Sequence, residues 1–182
     1  MIKMLIRRRL AAFERATGYD TTYMREILDT SVPAFRAFAG VQALSHHNED
    51  VPLGPLYACK IAAMLAQDCG PCVQLSVTLA EQAGVEAGLI RAMLTGDIAA
   101  MGEDCALTWR YARAVSARDP EADALRAQIE RRWGRRALMS LALQIAVAGT
   151  YPAMKYALGH GRACSRVRVG RDEIVPMLEA PA

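Results

Sequence analysis

LYACKIAAMLAQDCGPCVQLSVTLAEQAGV, residues 56–85, runs from an almost uncharged stretch through a Cys-Gly-Pro-Cys tetrapeptide into an amphipathic pattern. From Leu56 to Ala66 the only charge is Lys60, and so uniform an apolar surface belongs to a helix buried on nearly all sides. Beyond the tetrapeptide, Cys72, Leu75, Leu79, Ala80 and Ala83 recur at helical spacing, which puts Cys72 on the stripe facing the core with Ser76 beside it. Pro71 suits a first helical turn, where its missing N–H would have had no intrahelical partner, and Gly70 leaves the approach to the sulfurs open. The tetrapeptide therefore opens a helix and follows one, which points to an all-α fold.

Upstream, Ile6, Leu10 and Phe13 give one helical face ending near Gly18. Tyr23, Met24, Ile27 and Leu28 give a second, started by Asp20 or Thr21, and Ser31 caps a third lined by Phe35, Phe38 and Val41. The polar run His46 to Asp50 reads as a loop and Pro52 to Pro55 as a turn. Downstream, a short helix through Leu89, Ile90, Met93 and Leu94 stops at Gly96, and another runs through Leu107, Tyr111, Ala114 and Val115 to Asp119. Ala122, Leu125, Ile129 and Trp133 mark the next, with Gly134 as its stop. A last long helix begins near Arg135; Pro152 is expected to kink or break it before Gly159. Val167 and Val169 in the basic tail could form at most a short strand. The expectation is seven to nine helices in one domain, 1–182, with a motif region at 52–97, a closing helix at about 135–159 and a basic tail at 160–182.

Composition agrees with one helical core: 182 residues, 53% hydrophobic and 6% aromatic. The net charge of +3 is small, and the basic runs Arg7 to Arg9, Arg131 to Arg136 and Arg162 to Arg171 read as solvated helix faces, so nucleic acid is not implied. The longest apolar run, Ala137 to Gly149, is interrupted by Ser140 and Gln144 and is shorter than a membrane span. The N-terminus lacks the long apolar core and small-residue cleavage site of an export signal. A cytoplasmic location is expected, where a reducing milieu would keep a cysteine pair cycling.

Two sulfurs separated by two residues at a helix start can close a disulfide with little backbone movement, and the exposed N-terminus stabilises a thiolate. Thiol redox at Cys69 and Cys72 is the leading reading. Zinc is the rival, because one CxxC is half a site, but no second pair exists; Cys59, Cys105 and Cys164 are isolated, and His46 with His47 could reach the sulfurs only through the fold. Inert buried thiols are the third possibility. No metal and no tightly bound cofactor are expected. Asp68 reads as a helix cap, Lys60 as a side chain stretched to solvent, and Cys59 as a small packed residue.

Cys-Gly-Pro-Cys is also the tetrapeptide of thioredoxin, but that site needs a strand-to-helix turn, and here both flanks are helical. The pattern instead resembles the AhpD-like, or carboxymuconolactone decarboxylase, family: a buried helix, a CxxC, a helix ending in Ala83-Gly84-Val85, then a short helix and Gly96-Asp97. The likeness is specific over 52–97 and extends more weakly over 124–159, through Leu141 to Val147 and Lys155 to Gly159. It implies an all-helical homo-oligomer, a trimer or hexamer. It also implies that Cys72 attacks a peroxide or disulfide, that Cys69 resolves the product, and that an external dithiol such as a lipoyl group restores both. The family's histidine four residues after the second cysteine and glutamate twelve before the first are Ser76 and Tyr57 here. Their proton relay, a kind of assistance typically worth about two to four powers of ten in rate, is thereby altered. Serine is no base near neutral pH, and a tyrosine of ordinary pKa, about 10, is a poor proton acceptor.

The resemblance implies a CxxC-dependent thiol–disulfide oxidoreductase with (alkyl)hydroperoxide reductase activity and a reducing partner protein. Two alternatives belong to other classes. One is a non-catalytic ligand- or partner-binding protein, or a redox sensor; the other is a cofactorless decarboxylase of the broader family, whose chemistry does not depend on a CxxC.

Overall fold

The computed structural model describes residues 2–178, so the last four residues of the basic tail lie outside it. It is 73% helical. The order is α1 (Ile2–Thr17), α2 (Thr22–Thr30), α3 (Val32–Ala39), α4 (Val41–His46), α5 (Leu53–Leu65), α6 (Gly70–Gln82), α7 (Ala87–Thr95), α8 (Ile98–Ala117), α9 (Glu121–Ala148) and α10 (Thr150–Ala157), then β1 (Val167–Val169) and β2 (Asp172–Ile174). Single glycines, Gly40 and Gly149, join α3 to α4 and α9 to α10; with each pair counted as one bent helix there are eight among the described residues.

The uncharged stretch is the centre of the molecule. Ala58, Cys59, Ile61, Ala62 and Ala63 of α5 are wholly inaccessible, and α6, α7, α8 and α9 pack around them. Small side chains let α8 approach closely: a Cβ at Gly54 would come 3.0 Å from Cys105 Sγ, and Thr108 Oγ1 donates to the Pro55 carbonyl at 2.7 Å. Trp109 fills the α7–α8 interface and donates its indole N–H to the Met93 carbonyl at 2.9 Å. A second cluster, Tyr19, Tyr23, Ile27 and Phe38, packs against Leu75 of α6 and Tyr151 and Met154 of α10.

Several helix ends follow the sequence. Ser31 accepts from Ala34 N at 3.2 Å, with Pro33 in the first turn of α3. Gly96 closes α7 in the left-handed conformation, and Gly134 breaks the helical dihedrals inside α9. Ser31→Ala is expected to cost about 1 kcal/mol, read as a fall in Tm of about 2–4 °C in a thermal melt.

Other boundaries differ from expectation. His46 is the last residue of α4, and the expected Pro52 to Pro55 turn is the N-cap and first turn of α5, where proline needs no intrahelical partner for its nitrogen. For the same reason Pro152 sits comfortably in the first turn of α10, and the break falls at Gly149. Gly102 interrupts α8 with φ 71°, a kink the spacing does not reveal. The run Glu121–Ala157 is long and apolar enough to cross a membrane by length and composition, yet 44% of its most apolar window is buried inside the fold.

The tail holds the short strand that Val167 and Val169 allowed, and a second strand pairs with it. β1 and β2 form an antiparallel hairpin pairing Val167 with Ile174 and Val169 with Asp172, and both valines are inaccessible. The two alternating valines mark β1, which packs on α6 and α7; β2 carries no such pattern and forms by pairing with β1.

Candidate functional site

The site begins where α5 ends. Gln67 N donates to the Met64 carbonyl at 3.1 Å and Asp68 N to the Leu65 carbonyl at 3.2 Å, a tight exit from the helix. Asp68 then takes φ 45°, the left-handed region that aspartate tolerates better than most residues. Cys69 turns extended as the N-cap of α6, and its carbonyl accepts from Cys72 N and Val73 N, each at 2.9 Å. One helical turn thus brings the two Cα atoms to 5.3 Å, with the sulfurs at disulfide distance.

The pair is sealed: Cys69 is wholly inaccessible and Cys72 is 3% exposed. Beside it the tail runs as a strap across the start of α6. Gly70 N donates to the Arg162 carbonyl at 3.2 Å, and Cys164 N donates to the Asp68 carboxylate at 2.8 Å. A Cβ at Gly70 would lie 2.9 Å from the Ala163 carbonyl oxygen and 3.2 Å from Cys164 Cα. Farther along, Gln74 donates to the Arg168 carbonyl at 3.0 Å and accepts from Arg168 N at 2.7 Å. Glu81 accepts from Gly170 N at 2.7 Å, Met177 N donates to the Leu94 carbonyl at 2.8 Å, and Arg113 donates to the Leu178 carbonyl at 2.6 Å. Tyr156 of α10 adds a bond from its hydroxyl to the Asp68 carbonyl at 3.2 Å.

Asp68 therefore does not cap α6. Its carboxylate, expected at the helix N-terminus, is committed to the strap, and α6 has no side-chain cap. Ser76 is buried one turn after Cys72, where its hydroxyl donates to the Cys72 carbonyl at 3.1 Å. That hydroxyl's hydrogen bond goes to its own helix and not to the sulfur. Tyr57 lies with its ring beneath Lys60 Nζ, 5.2 Å from the centroid, and burial raises its pKa above the ordinary value; no hydrogen bond ties it to either cysteine. Lys60 turns inward to donate to the Ser45 carbonyl at 3.1 Å. His46 bonds the Gln42 carbonyl of its own helix at 2.9 Å, and His47 faces Glu49 at 3.8 Å, so neither is drawn over the pair.

The remaining thiols are buried. Cys59 points its sulfur at the Leu141 carbonyl, 3.8 Å away, and burial pushes its pKa up to about 12. Burial also raises Cys105. Burial, with help from the Asp68 carboxylate, pushes Cys164 up to about 11. Among the described residues, no group of three or more His, Cys, Asp or Glu is placed to hold a metal ion.

Beside the strap, a cleft of about 430 Å³ lies between the end of α1, the outer face of α6 and the hairpin, lined by Gln74, Thr78, Glu81, Arg166 and Arg168 among others. Neither cysteine opens into it. Buried Lys155 of α10 rests its ammonium 4.4 Å from the Tyr19 ring centroid and 5.3 Å from that of Tyr23. Sequence spacing gave no hint of this lysine, whose tyrosine partners come from the other end of the chain.

No protein-family model matches this chain, and no curated protein or solved structure matches it.

Proposed function

We propose that the chain is a thiol–disulfide oxidoreductase of the AhpD-like type, working through Cys69 and Cys72. The observation that carries this reading is the pair itself: two cysteines one turn apart at the start of α6, at disulfide distance. The resemblance to the AhpD-like family makes Cys72 the attacking sulfur and Cys69 the resolving one; both lie at the start of α6, where backbone N–H groups favour a thiolate.

Disulfide exchange needs no base beyond the thiolate. Attack of Cys72 on a substrate disulfide forms a mixed disulfide and expels one substrate thiolate; Cys69 then displaces the second and closes the pair. An external dithiol, with a lipoyl group or a partner protein as its source, restores both thiols. Peroxide reduction uses the same sulfurs: Cys72 takes one oxygen and the alcohol leaves, and Cys69 then condenses with the sulfenic acid to release water. With Ser76 bound to its own helix and Tyr57 unconnected to the pair, this second route lacks proton assistance and is the slower one. A homo-oligomer, trimer or hexamer, and a cytoplasmic setting complete the reading.

A second reading, a redox sensor rather than a turnover enzyme, is favoured by the sealing of the pair. In that case, oxidation state is read out through the strap. The discriminating measurement is pH-dependent alkylation of Cys72 in the reduced chain and in Cys69→Ser, followed by mass spectrometry. A thiolate pKa well below about 8.5, with multiple turnovers of a small disulfide, is the expected result. An ordinary or raised pKa with a single stoichiometric oxidation would leave the sensor.

A further inference from the structure

We propose that Cys164 is a third redox cysteine: it exchanges with the Cys69–Cys72 disulfide, bonding to Cys69 and releasing Cys72. The inference rests on the redox reading of the pair and extends it to the strap.

The geometry is specific to this cysteine. Both chain neighbours of Cys69 touch residue 164. The Asp68 carboxylate holds its N–H at 2.8 Å, and the Gly70 backbone packs so closely that a Cβ there would meet Cys164 Cα at 3.2 Å. Gly70 and Cys164 Cα atoms are therefore no more than about 5 Å apart, and one further Cα–Cα step bounds the Cys69–Cys164 Cα separation at about 8.5 Å. Disulfides bridge Cα separations of about 4.4–6.8 Å. Cys59 and Cys105 are not so placed: one faces the Leu141 carbonyl and the other the start of α5.

The step balances within the chain. The Cys164 thiol loses its proton to solvent and attacks Cys69 Sγ. The Cys69–Cys72 bond breaks, its electron pair stays on Cys72, and Cys72 holds it as a thiolate or takes a proton from water. One disulfide and one thiol remain, and no oxidant or reductant is consumed. Attack falls on Cys69 because both its chain neighbours touch residue 164, and Cys72, released at the start of α6, is stabilised there as a thiolate. The consequence is transport: the bond moves from the sealed pair into the strap, whose neighbouring residues Arg162, Ala163 and Ser165 are exposed. Cys164 is itself buried, so an external dithiol attacks it when this exposed stretch of the strap lifts from α6. Because burial keeps Cys164 protonated at neutral pH, loss of its proton sets the pace.

The test uses the full chain, oxidised at Cys69–Cys72, held at pH 9, quenched in acid, alkylated with a maleimide and digested with trypsin. Cleavage at Lys60, Arg91, Arg162 and Arg166 leaves Cys69 and Cys72 on peptide 61–91 and Cys164 on peptide 163–166. Exchange joins these two peptides by a disulfide and leaves Cys72 alkylated, in a fraction on the order of a tenth or more of the chains. In Cys164→Ser, reduction of the pair by dithiothreitol is expected to slow about tenfold. The wild-type map needs no variant, so poor folding of Cys164→Ser does not obscure it. Absence of the joined peptides, or their appearance only after the chain is unfolded, overturns the proposal. If Cys72→Ser abolishes turnover of a small disulfide while the joined peptides are absent, the relay falls and the redox reading stands. If Cys72→Ser leaves turnover intact, the redox reading falls and takes the relay with it.

Discussion

Gly70→Ala is expected to lift the strap from the cysteine pair and to speed reduction of Cys69–Cys72 by a small dithiol about tenfold. The added methyl carbon would sit 2.9 Å from the Ala163 carbonyl oxygen and 3.2 Å from Cys164 Cα. Both are backbone atoms, which no rotamer change can move aside. The strap must withdraw, weakening the bonds from Gly70 N to Arg162 and from Cys164 N to Asp68. Overpacking of this kind costs about 1–3 kcal/mol, partly offset by about 0.5–1 kcal/mol because alanine is the better helix residue. A net local destabilisation of about 1.4 kcal/mol is a factor of about ten in the open population, and hence in access to the sulfurs. Gly88→Ala is the control: an added Cβ meets nothing within 4 Å, so the same exchange in α7 should be neutral or stabilising and leave reduction unchanged. Equal reduction rates for Gly70→Ala and the parent chain would show that the strap does not gate the pair.

The contrast between Gly70 and Cys164 shows where sequence reading reaches its limit. The start of α6 was legible because its causes are local: Pro71 in a first turn, a glycine without a side chain, and cysteines one turn apart. α5 was legible because a helix with one charge in eleven residues has only the centre of a fold to occupy. The breaks at Gly96 and Gly134 follow from single residues that reach positive φ. The site's covering depends instead on contacts across about ninety residues of sequence, such as Asp68 to Cys164 and Gln74 to Arg168. No spacing rule carries that distance. Asp68 shows the cost of local inference: an acid before a helix suggests a cap, but its left-handed backbone directs the carboxylate to the strap. Gly70 carried a trace of the answer, since a glycine beside two sulfurs leaves room for some close approach; in this fold the strap's backbone makes it.

Alkaline pH is expected to destabilise the chain well before its tyrosines ionise, and Cys59 should account for a definable share of the loss. Cys59 is wholly inaccessible at the centre of α5, and burial pushes its pKa from 9.0 up to about 12. In the unfolded chain the thiol ionises near pH 9, while in the folded chain it stays protonated until about pH 12. The folded state thus binds the extra proton between these values. Stability therefore falls as pH rises, by about 1.4 kcal/mol per unit for this group and by on the order of 4 kcal/mol across the window. Below pH 9 the contribution is fully present. Cys164, raised to about 11 beneath a thin strap, adds a smaller loss of the same sign. Tyr19, raised from 10.0 to about 12, joins only above pH 10. Lys60 and Lys155, whose amines burial pulls below 10.5, act in the opposite direction. These other groups are common to the parent chain and to Cys59→Ala, so the difference between the two isolates Cys59. Urea unfolding at half-unit steps from pH 8.5 to 10 should give a parent slope steeper than that of Cys59→Ala by about 1 kcal/mol per pH unit between pH 9 and 10. The variant will start lower by the cost of a small cavity, about 1 kcal/mol, and the two curves should converge or cross as pH rises. Parallel curves would mean that water reaches the Cys59 sulfur, and that the apolar centre of α5 is less closed than its packing against α8 and α9 requires.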